Sequence, residues 1–194
     1  MKKILASMIC ITSALSANIG TAGFHPFAYN NVFVETGTFG GYGVDKAMEA
    51  GFKQILSVDN DWNHINFTLQ RYPKGHPQVK LFYGDVKDLL WTMIQNINEP
   101  ITFWLDAHRF PPIENESNCP LLAELDHIKR HPIKTHTILI DDLHCCGSAA
   151  FDMLTINDIK AKILTINPNY TFTFADGGDN DEVPNNVLVA YVDA

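Results

Sequence analysis

Cysteine is scarce in this chain. Four occur in 194 residues. Cys10 falls in an apolar N-terminal stretch, Cys145 and Cys146 are adjacent, and Cys119 stands apart. Adjacent cysteines rarely pair with each other, because disulfide geometry disfavours it. Three thiols outside the first stretch leave an odd number, and no disulfide framework is visible. No C-x-x-C pair exists, which excludes the common structural zinc motifs. Basic residues are also few: 14 Lys and Arg against 22 Asp and Glu give a net charge of -8, with a pI near 5.3. An acidic domain lacks the footprint of a nucleic-acid or anionic-membrane binder, so neither partner is expected. No apolar run is long enough for a confident membrane span. The glycine-rich turn near residue 40 also lacks the third glycine of G-x-G-x-x-G, since Gly43 is followed by Val44, Asp45 and Lys46. That spacing disfavours a nicotinamide oxidoreductase.

What remains is ordinary globular composition, 46% hydrophobic and 19% charged, in a chain long enough for one domain with a real core. The first residues differ in kind. Lys2 and Lys3 precede an apolar stretch to about Ala17, followed by small residues. This is the shape of a secretory signal peptide. We therefore expect residues 1–22 to be a leader, with a mature chain starting near Asn18 or Gly23, and residues 23–194 to form a single domain. Export to the periplasm or exterior follows if the leader is real; a cytoplasmic location follows otherwise.

Downstream, strands and helices alternate. Strands are expected at 31–35, 54–58, 79–83, 101–105 and 137–140, with helices at 43–50, 61–71, 86–97, 120–130 and 152–165. Such alternation gives a mostly parallel sheet with helices on both faces. The last two strands, 170–175 and 186–192, have no room for a crossover helix and should form an antiparallel hairpin.

The stretch Asn31–Gly43 reads strand, acid, glycine turn, helix. Its glycines let a ligand approach bare backbone, and the helix start beyond offers unpaired N–H groups. The spacing Glu35-x-Gly37-x-x-x-Gly41-x-Gly43 resembles motif I of the class I S-adenosylmethionine-dependent methyltransferases. The resemblance spans roughly residues 31 to 192. It implies a Rossmann-like doubly wound sheet of seven strands in the order 3-2-1-4-5-7-6. It also implies that Glu35, Gly37, Thr38, Gly41 and Gly43 surround the methionine end of S-adenosylmethionine. Asp59 closes the second strand about twenty residues after the turn, where a nucleotide-binding fold places an acid for ribose hydroxyls. Asp85 matches the position that faces the adenine amine in many members.

The acids repeat a pattern. Glu35, Asp59, Asp106 and Asp141 fall at or just beyond strand ends, and Asp85 two residues past the third strand. In a parallel sheet these ends share the edge where ligands bind. Strands four and five should be neighbours about 4.8 Å apart, so Asp106, Asp141 and Asp142 converge and need a counter-charge. Hard oxygen ligands suit Mg²⁺ or Ca²⁺. This resembles the metal-dependent O-methyltransferases of the catechol and macrolide-sugar types, in which such a set holds Mg²⁺ and lowers the pKa of an acceptor hydroxyl. The chain departs from the catechol pattern: Arg109 stands where that pattern has a lysine, and arginine stays protonated. The base falls to His108 or His144, beside Asp106. Two histidines among the acids also admit Mn²⁺, Fe²⁺ or Zn²⁺.

The function expected is thus S-adenosylmethionine-dependent, metal-assisted O-methylation of a small hydroxylated acceptor. The rival is an exported protein of the same fold without methyl transfer, acting as a ligand- or metal-binding protein or a metal-dependent hydrolase. The sequence names neither the acceptor nor the oligomeric state.

Overall fold

A computed structural model describes Ile19 and residues 23–177 and 183–193. The expected leader, Ile19 apart, lies outside the described residues, as does the middle of the final turn. The elements run β1 (Val32–Thr36), α1 (Tyr42–Ala50), β2 (Gln54–Asp59), α2 (Trp62–Leu69), β3 (Val79–Tyr83), α3 (Val86–Ile94), β4 (Ile101–Leu105), α4 (Leu121–Arg130), β5 (Thr137–Ile140), α5 (Ile156–Leu164), β6 (Tyr170–Ala175) and β7 (Val187–Val192). One seven-stranded sheet has the order β3-β2-β1-β4-β5-β7-β6. Four of the six strand pairings are parallel; β7 runs antiparallel between β5 and β6.

The inner strands are mostly apolar and almost wholly buried because both faces are covered. Successive residues point to opposite faces, and two cores result. On one side Val34, Leu56, Phe103 and Ile138 meet Leu90 and Ile94 of α3, Leu125 and Ile128 of α4, and Ile159 and Ile163 of α5. On the other, Phe33, Ile55, Trp104 and Leu139 meet Val44 and Ala47 of α1, together with Phe24, Phe27 and Ile19. Each such large apolar side chain contributes roughly 1.5–3 kcal/mol on burial. Ile19 is held there by its backbone, whose N–H donates to the Asp176 carbonyl at 2.7 Å.

Four of the five helices are shorter than the sequence pattern suggests, α1 being the exception. Residues 152–155 are not helical. Asp152 and Met153 take positive φ of 50° and 62°, and α5 begins only after Thr155, which forms a capping box with Asp158. Asp152 serves the loop 109–119 instead. Its carboxylate accepts from Ser117 Oγ and the Asn118 N–H, both at 2.8 Å, and from the Cys119 N–H at 3.3 Å.

Near the amino ends of the central strands lies a fully buried histidine pair. His136 Nδ1 accepts the Ile101 N–H at 3.0 Å, so its Nε2–H donates to His131 Nδ1 at 3.1 Å; His131 Nε2–H then donates to the Ile97 carbonyl at 3.0 Å. The relay uses neutral imidazoles. Burial, with His131 and Lys134 adding, pushes His136 down to about 3.

Candidate active site

The carboxyl edge of the parallel strands opens into a cleft of about 840 Å³. One end is floored by the β1–α1 turn. Glu35 is buried beneath that turn, accepting from Ser57 Oγ at 2.5 Å; Ser57 in turn accepts from Thr38 Oγ1 at 2.6 Å. The Glu35 carboxylate also presses against Gly43, where an added Cβ would meet Oε1 at 1.8 Å. Gly43 is therefore required by close approach to its own acid. Gly41 is the N-cap of α1 with φ 76°. A Cβ there would strike Arg71 Nη2 at 2.4 Å and Thr68. Arg71 pins the turn from outside, donating to the Gly40 carbonyl at 2.6 Å and to Asp45 at 3.2 Å. Of the motif I residues, Gly37 lines the main cleft. Glu35, Thr38 and Gly43 line a small adjoining hollow of about 30 Å³, and Gly41 lines neither.

Asp59 and Asp85 both line the cleft, with Val58 and Val86 as an apolar wall. Asp59 is well engaged: Oδ2 accepts from the Phe39 N–H at 2.9 Å and lies 3.0 Å from His64 Nδ1, while Oδ1 accepts from the Asp61 N–H at 2.8 Å. A carboxylate has about four acceptor positions, so one remains toward the cleft. Asp85 caps α3, accepting the Lys87 N–H at 2.8 Å, with Lys87 Nζ at 3.4 Å.

The other end of the cleft gathers Asp106, His108, Asp142, His144 and Cys145. His108 Nδ1 lies 3.5 Å from Asp106 Oδ1, and Nε2 lies 3.5 Å from Asp142 Oδ2. Burial holds the His108 imidazole below its ordinary pKa, against the pull of the Asp142 carboxylate. These three residues bring one donor atom each within 4.8 Å of one another. Asp141 is not in that group. It is buried, and its Oδ1 accepts the Asp142 N–H at 2.8 Å. Asp142 adopts φ 56°, and the two neighbouring carboxylates share one donor, Asn186 Nδ2, which lies 3.5 Å from Asp141 Oδ1 and 3.2 Å from Asp142 Oδ1.

Asn186, just before β7, is the residue the sequence reading missed. It is buried. Its Oδ1 accepts the His144 N–H at 3.1 Å and faces His144 Nδ1 at 2.9 Å; its Nδ2 donates to Asp142 Oδ1 at 3.2 Å. The backbone donor fixes the amide orientation, so His144 Nδ1–H donates to Asn186 Oδ1, and Nε2 faces the Cys145 thiol at 3.4 Å. The signal was available in the hairpin: an antiparallel β7 beside β5 must start at the edge where β5 ends. A second missed residue is Glu124 of α4, buried beneath the cleft. It hydrogen-bonds Thr36, whose Oγ1 accepts the Asp106 N–H at 3.3 Å, and its Oε1 has no hydrogen-bond partner among the described residues. Burial, opposed by the Thr36 hydrogen bond and helped by Asp85, pushes its carboxyl up to about 7.

The sheet order with its reversed final hairpin is the class I methyltransferase fold. Solved structures share it at low identity. An S-adenosylmethionine-dependent methyltransferase from Clostridium acetobutylicum is 10% identical with a TM-score of 0.54, covering 100% of this chain and 92% of its own. A candidate O-methyltransferase from Klebsiella pneumoniae is 16% identical with a TM-score of 0.56, covering 100% and 89%. The N-methyltransferase NodS from Bradyrhizobium japonicum is 10% identical with a TM-score of 0.52, covering 96% and 92%. No protein-family profile and no curated protein matches the chain. The neighbours' names span O- and N-methylation, so the fold leaves the acceptor open.

Proposed function

We propose that the chain is an S-adenosylmethionine-dependent methyltransferase that methylates a hydroxyl of a small acceptor with help from a divalent cation. The observation that carries this reading is one cleft with two chemically distinct ends. The turn, Asp59, Asp85, Val58 and Val86 suit a nucleoside with an amino-acid tail; Asp106, His108, Asp142 and His144 suit proton removal and charge.

S-adenosylmethionine supplies an electrophilic methyl group on a sulfonium sulfur. The chain's own residues do the rest. Asp59 accepts from a ribose hydroxyl at its remaining position, Asp85 accepts from the adenine amine, and the Gly37 end of the turn meets the methionine portion. Asp106 and Asp142 hold the cation's charge and orient the acceptor hydroxyl. His144 Nε2 takes the hydroxyl proton, because Asn186 keeps Nδ1 as the donor. A poised histidine contributes about 10²–10⁴-fold as general base. Phe110, 79% exposed, and Arg109 line the acceptor side.

Calorimetry with S-adenosylhomocysteine tests the cofactor half, with Asp59→Ala expected to weaken binding. Radiolabelled methyl transfer to catechol-like and sugar acceptors, with and without Mg²⁺ or Mn²⁺, tests the rest. A folded chain that takes up no S-adenosylhomocysteine refutes the reading. Cation binding without cofactor binding favours the ligand-binding or hydrolase alternative.

A further inference from the structure

We propose that His64 completes the ribose site, its Nε2 accepting one of the two neighbouring ribose hydroxyls while Asp59 accepts the other. The inference rests on the S-adenosylmethionine reading above and adds to it a residue outside the glycine turn and the strand-end acids.

Three observations support it. First, Asp59 has room for one hydroxyl, not two. Its side chain is only 9% exposed. Three donors already claim it: the Asp61 N–H on Oδ1 at 2.8 Å, and the Phe39 N–H at 2.9 Å and His64 Nδ1 at 3.0 Å, both on Oδ2. A carboxylate offers about four acceptor positions, which leaves one. A ribose presents two adjacent hydroxyls, and a hydroxyl taken out of water needs a partner of its own. Binding the diol here takes a second acceptor.

Second, the tautomer of His64 supplies that acceptor. An ionised carboxylate only accepts, so a neutral His64 facing it donates from Nδ1. The hydrogen bond made by one ring nitrogen decides the state of the other. Nε2 therefore carries the lone pair, and among the described residues no group bonds to it. His64 lines the cleft, as Asp59 does, and its side chain is 34% exposed. An acceptor thus stands at the cleft beside the acid it is bonded to.

Third, the ring is held in place by its surroundings. His64 sits in the first turn of α2, whose N-cap Asp61 accepts the Asn63 N–H at 2.7 Å and gives its own N–H to Asp59. Phe39 packs edge-on against the imidazole, with centroids 5.1 Å apart and planes at 70°. Phe39 takes φ 43°, which is uncommon outside glycine. Such conformations persist where surrounding contacts over-determine them. Its N–H on Asp59 and its ring on His64 are two such contacts, and it lines both the main cleft and the small hollow. Acid, imidazole and turn form one preorganised unit, which lowers the ordering cost of binding.

The test uses the full chain labelled with ¹⁵N-histidine. Two-bond proton–nitrogen spectra report which ring nitrogen carries the proton. His64→Phe assigns the His64 signals by their disappearance; His64→Gln, which keeps a donor for Asp59, assigns them if the phenylalanine variant does not fold. S-adenosylhomocysteine, its 2′-deoxy analogue and its 3′-deoxy analogue are titrated in turn, with calorimetry alongside, at about pH 8, where an ordinary imidazole is neutral. Expected for the parent is a proton on Nδ1 with and without ligand. S-adenosylhomocysteine and one deoxy analogue should shift the Nε2 resonance in the direction of hydrogen-bond acceptance. The other analogue should leave it unmoved and bind about 2–10-fold more weakly, as loss of one neutral hydrogen bond predicts. An Nε2 resonance unmoved by saturating S-adenosylhomocysteine overturns the proposal, and so does an equal shift from both deoxy analogues. Either of those results, obtained with the cofactor product bound, leaves the methyltransferase reading standing. No uptake of S-adenosylhomocysteine refutes both.

Discussion

Replacing Glu124 with glutamine should make the protein more stable, by an amount that depends on pH. The folded carboxyl titrates near 7 against an ordinary 4.5. Between those values the folded chain holds a proton that the unfolded chain has released. Stability from this group is therefore fully present below 4.5 and is lost as pH rises toward 7. About 2.5 pH units at about 1.36 kcal/mol each amount to a cost of about 3 kcal/mol above pH 7. Glutamine keeps the volume and a donor for the same pocket but never charges. The difference in unfolding free energy, Glu124→Gln minus parent, should be flat below about pH 4.5 and grow by about 3 kcal/mol by pH 8. His136 sharpens the test. Its folded value near 3 lies below its ordinary 6.5, so its contribution is present above 6.5 and lost as pH falls. In the parent these opposed slopes overlap between about 4.5 and 6.5 and largely cancel. In Glu124→Gln the histidine slope stands alone, and stability should rise with pH there. Urea unfolding followed by tryptophan fluorescence at half-unit steps of pH measures both curves. A parent-to-variant difference that does not change with pH would refute the argument, because it would mean that Glu124 is solvated or paired when ionised.

Three further outcomes are expected. Gly43→Ala should drive its methyl into Glu35 Oε1, cost about 1–3 kcal/mol as overpacking does, and weaken S-adenosylhomocysteine binding, read by thermal melting and calorimetry. Asn186→Leu should lower cation affinity about 10–100-fold while S-adenosylhomocysteine binding persists, since Asn186 touches only the Asp142 and His144 end. A chain beginning at Gly23 should be less stable than one beginning at Asn18 by about 2–5 kcal/mol, because it lacks the buried Ile19 side chain; urea titration of both forms decides it, and mass spectrometry of the native terminus shows whether a leader is removed at all.

The sheet was legible because alternation is a strong signal. Apolar runs such as Ile101–Leu105 can only be strands covered on both faces, and the short link before β7 leaves only a hairpin. The ends of helices were less so. Nothing in Asp152-Met153 announces two left-handed residues, whereas Thr155-x-x-Asp158 does announce a cap. Within the site, the clustering of acids at one edge could be read, but not their directions. Asp141 and Asp142 are chemically identical neighbours, yet Asp141 is buried and only Asp142 joins Asp106 and His108. Glu124 sits on an amphipathic helix where an acid is expected to face water, and Asn186 matters only through the partner strand beside it. Local pattern places residues on an edge; tertiary register decides what they touch.

If the cluster takes up a cation as proposed, the order in which the chain is made bears on it. Asp106, His108, Asp142 and His144 all leave the ribosome well before Asn186, yet the amide that orients two of them arrives with β7, which must slot between β5 and β6. A nascent or truncated chain ending before residue 186 carries every charged group of the cluster without the brace that aims them. Loading of the proposed ion would then wait for the last strand, so chains ending before residue 186 should hold a cation less well than the full chain.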